Sequence, residues 1–110
     1  MSGSPESAVA EAMNRLWEKF LPQIEERVAT IQNTAQSLAT GNLAANDRQK
    51  AAAEAHKLAG VLGTFGLNEG TNLAREAENL CTGPLGEIRP LAARLSTIAA
   101  QLQKMISLRK

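Results

Sequence analysis

AHKLAGVLGTFG, residues 55–66, decides the fold and holds the chain's only histidine, His56. On a helix, at about 100° per residue, Ala51, Ala55, Leu58, Leu62 and Phe65 gather on one side and form a core face. His56 points roughly 140° away from the centre of that face, toward solvent. Over two turns in each direction it shares its side with Gln49, Ala52, Ala53, Ala59, Gly60 and Gly63. An ordinary outward face carries Lys and Glu. This one is paved with small residues, and each glycine costs about 1 kcal/mol of helix propensity against alanine. Such a face suits a flat partner lying against it, with one imidazole standing in the middle. The competing reading is a central helix packed on two sides, where Ala and Gly let neighbours approach; His56 would then need a buried partner.

Outward from this stretch the chain reads as helices. Residues 6–21 carry Val9, Met13, Leu16 and Phe20 at helical spacing, widened by Trp17 and Leu21. Pro22 interrupts, and its ring predicts the first position of a new helix. That second helix extends to Thr40 with Ile24, Val28, Ile31, Ala35 and Leu38 inward, and Gly41-Asn42 stops it. The helix bearing His56 starts near Asn46-Asp47 and ends between Gly63 and Gly66. Asn68 is the expected cap of the next, with Leu73, Ala77 and Leu80 inward. Thr82-Gly83-Pro84 breaks it. The last helix begins between Leu85 and Pro90 and runs Ile88, Leu91, Leu95, Ile98, Leu102, Met105 in 3-4 alternation. Short connections favour antiparallel neighbours. The predicted fold is all-α: an antiparallel up-down four-helix bundle with an additional N-terminal helix lying across it as a lid. Residues 1–5 read as a flexible leader and 6–110 as the domain.

Composition agrees with helices. The chain has 110 residues, enough for one domain that buries roughly two-thirds of its unfolded surface. It is 44% hydrophobic but only 3% aromatic, without Tyr, so the core is aliphatic. Twelve basic and eleven acidic residues leave a net charge of +1, with no basic field for nucleic acid or anionic lipid. No apolar run approaches the ~18 residues of a membrane span. The lone Cys81 excludes an internal disulfide, fits a reducing compartment, and reads as a small half-buried hydrophobe. A cytoplasmic monomer is expected. One histidine and one cysteine cannot build a structural zinc site, and no nucleophile, base and orienting group are spaced together as a hydrolase needs. Glu25-Glu26, and Glu76 with Glu78, read as ordinary solvated faces.

The motif A-H-x-L-x-G at residues 55–60, followed by spaced glycines and LNEGTNLAREAENL at 67–80, resembles the histidine-containing phosphotransfer (HPt) domain of bacterial phosphorelays. The resemblance extends over residues 12–108 in helix order and is motif-specific from Ala55 to Leu80. It implies that His56 accepts a phosphoryl group from an aspartate on a receiver domain and passes it to another receiver. It implies as partners the receiver domains of response regulators or hybrid histidine kinases. It also places Mg²⁺ on the receiver, leaving this chain without a cofactor, a metal site, or kinase or phosphatase activity of its own. An unperturbed imidazole titrates near pH ~6.5, so a neutral ring nitrogen is accessible at neutral pH without a general base beside it.

The family commonly carries Lys three residues after the histidine, where this chain has Ala59. Lys57, about 100° round the helix from His56, is then the best local cation in the phosphate vicinity, with Gly60 beside the acceptor; Arg48 and Lys50 are poorer candidates. The family also supplies an amide from the next helix near the position of Glu78; a carboxylate there would repel phosphate, so that role is not carried over. The docking face for the receiver is expected to be Gln49, Ala52, Ala53, Ala59 and Gly63. Two further readings stand: an HPt-like scaffold that docks receivers without transfer, marked by the missing lysine, and a structural bundle or dimerisation unit using the heptads of the last helix.

Overall fold

The computed structural model describes residues 5–42, 45–84 and 86–109. Four helices follow one another: α1 (Pro5–Thr40), α2 (Ala45–Thr64), α3 (Asn68–Thr82) and α4 (Ile88–Leu108). No strand occurs among the described residues. Of the expected leader, residues 1–4 lie outside the described part, and Pro5 opens α1.

Pairs across the helices fix their directions. Arg27 of α1 meets Glu54 of α2, Thr71 of α3 meets Ala59 of α2, and Glu76 of α3 meets Arg94 of α4. Arg109, just past α4, reaches Asn14 and Trp17 near the other end of α1. Contacts later along one helix fall earlier along its neighbour: Trp17 with Phe65 and Arg27 with Glu54 for α1 and α2, Ala59 with Thr71 and Leu62 with Gly70 for α2 and α3, Gly70 with Met105 and Glu76 with Arg94 for α3 and α4. For α1 and α4, Asn14 meets Arg109 while residues 32–39 lie beside residues 88–96. The four helices therefore run up-down-up-down and close into a ring, α4 returning to α1.

The expected lid is corrected. There is no separate N-terminal helix: α1 is continuous for 36 residues with Pro22 inside it. At about 1.5 Å per residue it is roughly 54 Å long, which accounts for the 57 Å long axis of the molecule. Proline in a helix interior costs about 3 kcal/mol, and here it removes the N–H that would bond the Glu18 carbonyl. Both residues are exposed, so water can take that bond. What holds the helix straight through is its buried side: Trp17, Ile24, Val28, Ile31, Ala35 and Leu38 keep helical spacing across the proline. Val9 and Leu16, expected inward, are exposed, because Trp17 rather than Leu16 turns to the bundle.

The chain's three aromatic residues meet at that end. Trp17 packs edge-on against Phe65 with ring centroids 5.1 Å apart, Phe20 lies 6.4 Å from Phe65, and the Arg109 guanidinium sits 4.6 Å above the Trp17 ring. This cluster closes the base of the bundle and ties α1 and the residue that follows α4 to the end of α2.

The turn after α2 fixes the helix that follows. Gly66 has φ +75°, the left-handed region that glycine occupies without strain. Its N–H bonds the Gly63 carbonyl at 3.0 Å, and the Leu67 N–H bonds that of Leu62 at 2.9 Å. This is a Schellman stop. The Leu67 carbonyl then accepts from Thr71 N–H at 2.9 Å, so one residue ends α2 and begins α3. Asn68 is thereby already inside α3, which has no side-chain cap. The buried side of α3 is Gly70, Thr71, Ala74, Ala77 and Cys81, with Leu73 and Leu80 half-buried at its margins. No helix is long and apolar enough to cross a membrane among the described residues.

Candidate functional site

Leu58 and Leu62, the inward leucines of the histidine motif, are fully buried. His56, two residues from Leu58, lies on the outside of the same helix with a side chain 74% exposed. Periodicity alone places it there, but not its partner. Its Nδ1 is 3.1 Å from Oε2 and 3.2 Å from Oε1 of Glu78, which comes from α3, 22 residues away.

The approach of α3 makes this pair possible. A Cβ added at Gly70 would stand 3.0 Å from Leu62 Cδ1 and 2.9 Å from Met105 Sδ, so α3 lies tight against α2 and α4. At the next residue, the Thr71 hydroxyl donates to the Ala59 carbonyl at 3.0 Å, a buried link between the helices. Two turns beyond Thr71, Glu78 arrives opposite His56. A carboxylate oxygen only accepts hydrogen bonds, so the nitrogen facing it carries the proton. In the neutral ring this leaves Nε2 with its lone pair, pointing away from Glu78 into solvent. His56, Ala59, Gly60, Arg75, Glu78 and Asn79 line an open cleft of about 410 Å³ here.

An exposed histidine, oriented from the neighbouring helix of an antiparallel bundle, invites comparison with known proteins. The Hpt domain family model matches residues 15–108. The chain belongs to the Hpt domain family. It is similar to Protein RcaC of Microchaete diplosiphon, 32% identical over 95 residues, which are 86% of this chain and 14% of that protein. It thus spans about a seventh of that relative's length. No solved structure matches it. Membership gives the chain a role in a phosphorelay, where Hpt domains interact with receiver domains.

Around His56 of this Hpt domain the small-residue face divides. Gln49, Ala53, Gly60 and Gly63 are exposed with His56. Ala52 and Ala59, expected on that outward face, are buried instead. The reason is that α2 packs on α1 along one side and on α3 along another, so its buried arc is wider than a single stripe. A Cβ at Gly60 would meet nothing within 4 Å, whereas one at Gly63 would touch the Thr71 hydroxyl at 3.4 Å. Gly60 therefore leaves open space beside the imidazole that no internal contact requires.

Lys57 does not line the cleft. Its Nζ lies 3.9 Å from Oε1 of Glu54, whose other oxygen accepts from Arg27 Nε at 3.1 Å, and this cluster draws the lysine toward α1. The basic side chain in the cleft is Arg75, which the sequence reading did not single out. Neither of the two α3 glutamates taken as solvated faces is one: half-buried Glu76 accepts two hydrogen bonds from Arg94 of α4, whose guanidinium holds its carboxyl below the usual range. Glu78 meets His56. Its spacing from Thr71 and Arg75, at seven and three residues, carried the signal, but its pairing depends on the register between two helices.

Cys81 is buried, and burial pushes its thiol up, Arg48 only partly opposing. Such a thiol is a poor nucleophile. Among the described residues no three His, Cys, Asp or Glu side chains converge as metal ligands.

Proposed function

We propose that this domain is a histidine phosphotransfer intermediate, taking a phosphoryl group from the aspartate of one receiver domain onto His56 and passing it to another. The observation that carries the reading is the exposed imidazole with Nδ1 held by Glu78 and Nε2 left open. The Nε2 lone pair attacks phosphorus in line with the aspartyl oxygen. The N–P bond forms as the P–O bond breaks, and its electrons leave on the receiver's carboxylate. The ring becomes a phosphoimidazolium whose Nδ1–H remains against Glu78, so no proton has to leave. Onward transfer reverses these events.

Glu78 thus acts as an orienting group rather than as a base. It fixes the ring's tautomer and direction, and its charge favours the cationic ring, in which Nε2 is the better leaving group. Phosphoryl transfer depends on such positioning and charge placement more than on covalent help from the protein. The Mg²⁺ that such a reaction uses would be supplied by the receiver. The exposed residues Gln49, Ala53, Gly60 and Gly63 would form the surface it lies against.

The test is incubation with a phosphorylated receiver. Wild type should acquire acid-labile, base-stable phosphate that His56→Gln does not, while both remain folded. Glu78→Gln, which keeps an acceptor but removes the charge, should slow transfer about 3- to 10-fold. Equal labelling of His56→Gln would refute the assignment.

A further inference from the structure

We infer that Arg75 of α3 is the cation that holds the phosphoryl group on His56, an inference that rests on the phosphotransfer reading above. The cleft has a charge problem. The arriving phosphoryl group brings negative charge on three oxygens, and the Glu78 carboxylate is already within 3.2 Å of the ring. Position 59, one turn along α2 from the acceptor, holds an alanine. A cation has to come from elsewhere.

The other basic residues with described contacts are engaged away from the cleft. Arg27 and Lys57 meet at Glu54, Arg94 is held by Glu76, Arg48 donates to the Gly83 carbonyl, and Arg109 covers Trp17. Arg75 is exposed, lines the cleft with His56, and makes no hydrogen bond or ion pair among the described residues. It stands three residues before Glu78, so the two share one side of α3. Both oxygens of Glu78 are turned to Nδ1 and leave the guanidinium's donors open. Those donors form a planar fork that grips phosphate oxygens in pairs, which an ammonium cannot do. The arrangement divides the work by charge: Glu78 faces the ring's proton at Nδ1, and Arg75 faces the phosphate on Nε2.

The experiment follows phosphorus directly. The full chain is phosphorylated from a receiver, and the ³¹P resonance of the phosphohistidine is titrated with pH alongside measurement of onward transfer. A neighbouring guanidinium stabilises the dianion, so Arg75→Gln should move the titration to higher pH and slow transfer about 3- to 10-fold. Arg75→Lys should restore part of both effects, and Lys57→Ala should change neither. A merely structural role for Arg75 would leave the ³¹P titration in place. Identical titration and transfer in wild type and Arg75→Gln overturns the inference, as does finding the effects in Lys57→Ala instead. If wild type carries no phosphohistidine at all, the phosphotransfer reading itself fails and Arg75 falls with it.

Discussion

The two long seams of the bundle are built from different materials. Where α1 faces α4, the buried residues include Ile24, Val28, Ile31 and Leu38 on one side and Leu91, Leu95, Ile98, Leu102 and Ile106 on the other. Where α2 faces α3, the latter buries nothing bulkier than Thr71 and Cys81. Large aliphatic side chains release much apolar surface from water, about 1.5–3 kcal/mol for each one fully buried. Small ones release less but let backbones and short polar groups meet, as Thr71 and Ala59 do. The α1–α4 seam thus takes large side chains from both helices, whereas the fully buried large side chains of the α2–α3 seam come from α2, as Leu62 does against Gly70. The seam beside His56 also sets register, because a carboxylate on one helix has to arrive within 3.2 Å of a ring on the other.

Substitutions can break that contrast. Leu95→Ala empties space in the α1–α4 seam and should cost about 2–5 kcal/mol in denaturant unfolding, while the folded fraction transfers phosphate at the wild-type rate. A transfer defect in fully folded Leu95→Ala protein would show that the seams are not independent. Ala59→Leu overpacks the α2–α3 seam at the acceptor, and should cost about 1–3 kcal/mol. It should also slow transfer by forcing His56 and Glu78 apart. Loss of stability with transfer intact would mean that the register tolerates more than the geometry implies. Gly60→Ala is the subtlest. A methyl group there meets nothing internal, so the helix should gain up to about 1 kcal/mol, read as a raised unfolding midpoint. Receiver binding should weaken, since the new methyl stands beside the acceptor. A destabilised Gly60→Ala would point to an internal use for that glycine.

Much of this was legible in the sequence because 3.6-residue periodicity fixes which side of a helix is buried. Ile24 to Leu38, Leu58 with Leu62, and Leu91 to Leu102 all lie inside as their spacing predicts, and His56 lies outside. Alanine was harder to place. It fits an exposed flat face and a close helix contact equally well, and Ala52 and Ala59 are at the contact. Pro22 misled because local chemistry argues for a break, while the apolar spacing from Trp17 to Ile24 continues unbroken through it. Arg75 was out of reach for another reason, and the resemblance alone put Glu78 near His56. Their meaning depends on how α3 is set against α2, and no single-helix pattern encodes that offset. The charge conflict foreseen for a carboxylate near phosphate takes a different form once Glu78 is seen on the Nδ1 side of the ring.

That placement also governs traffic. With Nδ1 turned to Glu78, the ring leaves one nitrogen open and one direction of approach. A donor receiver and an acceptor receiver would have to use the same opening, so they could not occupy it together. Transfer would proceed by substitution: the first partner leaves before the second arrives, and the domain alone carries the phosphate between them. Kinetically, the proposed transfer would be a ping-pong scheme, with parallel double-reciprocal lines. An excess of either unphosphorylated receiver would compete with its counterpart for that one opening.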